Sequence, residues 1–180
     1  MLVNGTHLNF EYLEIYENHY AGVYLEYFKY LYFANSTLTH NHYEGLYKKK
    51  AWEDSYYVYI STYGKFEHLN VSYNGKDGIS LRNVGEYGSI CIPESYLYIA
   101  HSVISHNQGH GIYVDDSYNA SVFNNTVEEN TGFGIFFDDV WIALLVTLPL
   151  LKTSKVEYIS LSHIGAESII IQYLTIMDQE

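Results

Sequence analysis

Two acidic doublets, Asp115–Asp116 and Asp138–Asp139, stand 23 residues apart in the chain. If that spacing superposes them, four carboxylates share one small patch. Two such charges ~5 Å apart repel by about 1 kcal/mol in water, and by about 3 kcal/mol at an effective dielectric of ~20. One carboxyl can relieve this by keeping its proton, which makes an acid/base pair. A Ca²⁺ ion can take the oxygens as ligands. The plainer alternative is a solvated turn, where Asp is common. A second chemistry lies in the rings. Trp52, Tyr56, Tyr57, Tyr59 and Tyr63 cluster in one stretch, Tyr87, Tyr96 and Tyr98 in another, and Trp141 in a third. Trp52, Tyr56, Tyr87 and Trp141 are the candidate binding residues, because flat rings stack on sugar rings while Tyr hydroxyls stay wet. The same rings would equally pack on one another. His19 and His42 are a third candidate, with His40 close by. Stacked imidazoles suit Cu or Zn. Two Met and one Cys leave a soft-ligand copper store unsupported.

The elements that would hold these groups are written as a repeat. Asn18, Asn41, Asn74, Asn107 and Asn130 are each followed, after three residues, by Gly and a branched aliphatic. Three residues before each Asn stands Ile15, Leu38, Val71, Ile104 or Val127. Five residues earlier stands Phe10, Phe33, Phe66, Ile99 or Val122. Two residues after the Gly-aliphatic pair the chain is apolar in four units, Lys48 being the exception. A sixth unit without the Asn and Gly reads through Val156, Leu161, Ile164 and Ile169. The unit is 23 residues, with about ten extra at roughly 47–65, 82–98 and 138–155.

A fixed period of this length marks a solenoid, in which one unit cannot bury its own apolar face. Gly-Ile-Tyr-Val and Gly-Ile-Ser-Leu alternate with period two, which predicts strands. The fold expected is all-β: one right-handed parallel β-helix domain over residues 1–180, of about six coils. Equivalent residues then stack about 4.8 Å apart. The repeat Asn should form an amide ladder and adopt the left-handed conformation at a corner. The repeat Gly should allow a positive φ or a close backbone approach.

The pattern [ILV]-x2-N-x3-G-[ILV]-x-[LVF] resembles the parallel β-helix repeats of pectin-lyase-like proteins. It is similar above all to the Asn-rich repeats of surface proteins and of periplasmic copper-maturation β-helix proteins. The resemblance implies the fold across residues 10–171, and leaves function open because that fold hosts lyases, hydrolases, adhesins and scaffolds. Gly109-His110-Gly111 resembles the Gly-His-Gly of polygalacturonases. In that family the Asp-Asp pair comes a coil earlier and an Arg-x-Lys follows. Here Asp115–Asp116 comes after, and no arginine follows Arg82.

Charge narrows the classes further. The net charge is −12, with 9 basic residues, and Arg82 is the sole arginine. A nucleic-acid binder needs a basic stripe, and none is present. The same charge opposes acidic pectins. The lone Cys91 excludes an internal disulfide framework. The first twenty residues carry Glu11, Glu14 and Glu17 and do not read as a signal peptide. The longest apolar run, Val140 to Leu151, is too short for a spanning helix. Asn-x-Ser/Thr sequons begin at Asn4, Asn35, Asn70, Asn119 and Asn124, which suggests an extracellular or cell-surface location. The alternative source of that excess is turn composition.

These features together predict a non-enzymatic surface module, structural and able to bind a polysaccharide or glycan. The rivals are a hydrolase using the Asp patch and a viral spike or adhesin. No organic cofactor is implied, and Ca²⁺ is the ion the acids suit. Uncapped end coils would invite oligomerisation. The 138–155 insertion is the internal segment expected to fold over the last coil. The chain itself is readable as a piece of a longer solenoid.

Overall fold

The computed structural model describes residues 1–48, 62–82, 86–87, 90–91, 95–140, 143–152, 161–162 and 169–176. Its first coil is β1 (Leu2–Gly5), β2 (Leu8–Glu11) and β3 (Glu14–Tyr16). The second is β4 (Val23–Phe28), β5 (Tyr30–Ala34) and β6 (Thr37–Thr39). The third is β7 (Leu46–Lys48), β8 (Tyr63–Glu67) and β9 (Asn70–Ser72). The fourth is β10 (Ile79–Arg82), a small antiparallel hairpin β11 (Glu86–Tyr87) and β12 (Ile90–Cys91), then β13 (Tyr96–Ala100) and β14 (Val103–Ser105). The fifth is β15 (Ile112–Ser117), β16 (Ala120–Phe123) and β17 (Thr126–Glu128). Above it lie β18 (Ile135–Val140), β19 (Ala143–Lys152), β20 (Leu161–Ser162) and β21 (Ile169–Ile176).

Apart from the β11–β12 hairpin, the strands pair in parallel with strands one coil away. One sheet runs β1-β4-β7-β10-β15-β18-β20. The second and third walls run β2-β5-β8-β13-β16 and β3-β6-β9-β14-β17, and the long β19 joins them by pairing with both β16 and β17. This is a right-handed parallel β-helix. The apolar columns inferred from the repeat are the register of the walls. Val23, Leu46, Ile79, Ile112 and Ile135 form one. Phe10, Phe33, Phe66, Ile99 and Val122 form another. Apart from Phe10 in the first coil, which is only partly buried, both columns lie inside the coil and are buried.

The corners differ from expectation in one respect. The left-handed residue is not the ladder Asn but the residue before it. Glu17, His40, Tyr73, His106 and Glu129 all have φ of 52–56°. A second corner repeats the geometry at Tyr12, Asn35, His68, His101 and Asn124, with φ of 49–58°. Handing the turn to the preceding residue frees the Asn to point inward and bond along the stack. The repeat Gly does not take a positive φ; it is there for close approach. A Cβ at Gly78 would lie 2.8 Å from the carbonyl oxygen of Gly111 in the next coil.

The extra residues at 49–62 and 83–95 separate the first wall from the second, as the spacing implied. The third insertion is corrected. Residues 143–152 continue the coil as β19, with Val122 opposite Leu145 and Val127 opposite Leu151. Leu161 accordingly pairs with Phe137, not with a third-wall residue. The segment is therefore a rung of the solenoid and not a cover over it. Its backbone pairs with β21 on the other side.

Candidate functional site

The second wall turns two rows of side chains outward. Strand alternation sends Leu31, Phe33, Phe66, Leu97 and Ile99 inward and their neighbours out. One row is Tyr30, Tyr63 and Tyr96, in register on successive coils and extended by His7, whose ring lies 4.7 Å from that of Tyr30. The other is Asn9, Tyr32, Lys65 and Tyr98. Positions two apart on a strand are roughly 7 Å apart, and four coils span roughly 14 Å. The rows thus enclose a groove along the helix axis, with the strands as its floor. Its volume is about 630 Å³, inside the ~300–1,000 Å³ range of small-ligand sites.

The walls are preorganised by their own contacts. Tyr30 and Tyr63 stack at 5.0 Å with an interplanar angle of 15°. Tyr96 and Tyr98 stack across the groove at 6.2 Å and narrow that end. The Lys65 ammonium lies 5.5 Å from the centre of the Tyr32 ring and 5.7 Å from that of Tyr98. It also pairs with the Glu67 carboxylate at 2.8 Å. Burial, then the Glu67 charge, raises the pKa of the Tyr32 and Tyr98 hydroxyls, which stay protonated at neutral pH. The groove therefore offers ring carbon, neutral hydroxyls, the His7 imidazole, the Asn9 amide and one charge-compensated ammonium.

The acidic doublets lie on the first sheet. Asp115 and Asp138 are cross-coil partners, and Arg82 stands opposite Asp115 one coil earlier. Asp116 leaves the alternation with φ 45°, so the doublet does not present two carboxylates on one regular strand face. The Tyr113 hydroxyl donates to Asp115, and the Arg82 guanidinium lies 4.9 Å from the centre of the Tyr113 ring. Burial, then the Asp115 charge, pushes the Tyr113 hydroxyl up to about 12. The Asp139 backbone belongs to β18, and its side chain lies outside the described residues. Among the described residues no three of His, Cys, Asp or Glu gather closely enough to hold a metal ion.

Nor are His19 and His42 the histidines that stack. Among the described residues the histidine stacks are His40–Tyr73–His106 at one corner, His68–His101 at the other, and His110 on Phe133. Five of the nine histidines, His7, His40, His68, His101 and His106, occupy left-handed positions. His is among the residues enriched there, which accounts for these five. Three of the five sequon asparagines, Asn35, Asn119 and Asn124, are left-handed as well.

Residues 1–140 match a family described as the right handed beta helix region. The chain belongs to that right-handed β-helix family. No curated protein matches it, and no solved structure does. The family carries the β-helix and its repeat; the chemistry on its faces has to be read from the side chains. Among the described residues no helix is long and apolar enough to cross a membrane.

Of the binding candidates, Trp52, Tyr56 and Trp141 lie outside the described residues. Tyr87 lies in β11, its side chain likewise outside them. Tyr63, Tyr96 and Tyr98, read as loop residues, belong to strands and line the groove. His7, Tyr30, Tyr32 and Lys65 were missed. The signal for the row was present, because Tyr30, Tyr63 and Tyr96 are spaced by 33 residues, the length of a coil with an insertion.

Proposed function

We propose that this β-helix is a non-enzymatic module, working outside the cell or at its surface, that binds a glycan chain lengthwise in the tyrosine groove. The observation that carries the reading is the pair of parallel side-chain rows on the second wall. A linear sugar chain is amphipathic, with ring C–H faces and hydroxyl edges, and this wall offers ring and polar partners on each of its first four coils. Rings already held by stacking lose little freedom on binding. Isothermal titration against a panel of linear oligosaccharides tests it. Binding that falls about tenfold or more in both Tyr63→Ala and Tyr32→Ala supports the reading. Equal binding in both variants contradicts it.

A second reading rests on Asp115 and Asp138 facing one another across adjacent coils. Paired carboxylates at close range can act as acid and nucleophile on a glycosidic bond. Release of reducing ends from a bound polysaccharide, abolished by Asp115→Asn or Asp138→Asn, would establish it. Binding without release leaves the module reading.

A further inference from the structure

Building on the glycan-groove reading, we propose that the groove selects neutral glycans over acidic ones, and that the Lys65–Glu67 pair sets this selectivity. Lys65 is the only lysine or arginine among the lining residues. An unpaired ammonium there would attract a sugar carboxylate. This one is already satisfied. Glu67 holds it at 2.8 Å from behind the row, with a side chain only 12% exposed, and the rings of Tyr32 and Tyr98 flank it along the axis.

An acidic sugar at this place must share the ammonium with Glu67 and bear the repulsion of a shielded carboxylate, in a chain of net charge −12. Breaking a partly buried pair leaves Glu67 without its partner, which is costly. A neutral hydroxyl meets neither penalty. An ammonium has three donors, and those not used by Glu67 are left for sugar oxygens. The Tyr98 hydroxyl can donate and accept, and the Tyr32 hydroxyl, which donates to Glu67, still accepts, so both suit a hydroxyl-rich ligand. Lys65 and Glu67 together thus behave as a neutral hydrogen-bonding group with a fixed position.

The test uses matched probes: neutral linear hexasaccharides, and the same chains with C6 oxidised to the carboxylate. The wild-type chain should bind the neutral form about tenfold or more tightly. Glu67→Gln keeps the shape and uncovers the charge of Lys65. It should raise affinity for the acidic form about tenfold while changing the neutral form less than about threefold. Wild type binding both forms equally, or an unchanged ratio in folded Glu67→Gln, would overturn the proposal while leaving the groove as a glycan site. Failure of every probe to bind wild type and variant alike would instead remove the glycan reading itself, and this inference with it.

Discussion

At the scale of single residues, the Asn ladder is the best-defined device in the molecule. The Asn74 amide donates to the Asn107 amide oxygen at 2.9 Å and to the Leu38 carbonyl at 3.1 Å. Its own oxygen accepts the backbone N–H of Asn41 at 3.1 Å and the Asn41 amide at 3.0 Å. Asn74 is fully buried, so no water replaces these bonds. Asn74→Ala should therefore cost roughly 2–4 kcal/mol in urea unfolding, since each orphaned buried group costs about 1–3 kcal/mol. Asn18 stands at the exposed end of the ladder, and Asn18→Ala should cost less than about 1 kcal/mol.

Lys48 is the residue that conflicts with its surroundings. It occupies the interior column between Leu25 and Leu81 and is 5% exposed. Its ammonium donates to the Arg82 carbonyl at 3.0 Å. Burial lowers its pKa to about 8. The folded chain then binds fewer protons than the unfolded chain between about pH 8 and 10.5, so this group makes stability rise with pH across that window. The penalty is full below pH 8 and amounts to about 3 kcal/mol at ~1.4 kcal/mol per unit. Lys48→Leu should stabilise the fold at pH 7 by roughly 1–4 kcal/mol. Its advantage should shrink as pH climbs to 10.5. Tyr113 works in the opposite sense, because its proton is retained in the fold up to about 12. Its contribution is lost as pH rises from about 10, where the unfolded chain ionises. Comparing wild type with Lys48→Leu by chemical denaturation at several pH values isolates the lysine. A constant difference would rule out the titration.

At the scale of elements, the corners decide the geometry. The first corner uses Asn, and the second uses a mixed column. The Ser36 hydroxyl accepts the Leu13 N–H, Ser102 accepts that of Leu69, and Asn125 accepts that of Ser102, each at 3.0 Å. The close stacking at the first corner needs Gly. Gly78→Ala would press a methyl against the Gly111 carbonyl at 2.8 Å, and overpacking of this kind should cost about 1–3 kcal/mol. Gly5 isolates a different cause in the same unfolding assay, because an added Cβ there would meet only the Leu8 side chain at 3.3 Å or more while its φ of 155° disfavours any side chain.

Much of this scale was legible in the sequence, and the gaps have physical causes. Apolar positions five and three residues apart gave the walls, because a coil has one inward face and burial admits few residue types. The second corner's column was not legible, because it runs Leu13, Ser36, Leu69, Ser102, Asn125 with no constant residue type, and either Ser or Asn can accept one N–H. The left-handed residues were not legible either, since Glu, His, Tyr and Asn all serve when neighbouring coils hold the turn. The misread segment was Val140–Leu151. Its apolar residues resemble an insertion because β19 crosses from the second wall to the third without an Asn or Gly to mark the corner. The groove was half legible: Tyr63, Tyr96 and Tyr98 were noted but assigned to loops and not to alternate positions of a strand, and Tyr30 and Tyr32 were missed.

At the scale of the whole molecule, the β-helix presents two chemically different faces. The first sheet carries Arg82, Tyr113, Asp115 and Asp138, and the second wall carries the tyrosine groove. A rigid stack of parallel strands suits a long ligand, because equivalent groups recur at one spacing along the axis. The central claim is that the groove is the ligand face. The most direct measurement is an NMR titration of ring-labelled tyrosine with a neutral linear hexasaccharide. The account predicts saturable shifts at Tyr30, Tyr32, Tyr63, Tyr96 and Tyr98, with Tyr24, Tyr47 and Tyr113 on the first sheet unmoved. Shifts centred on Tyr113, or none among the groove tyrosines at saturation, would contradict it.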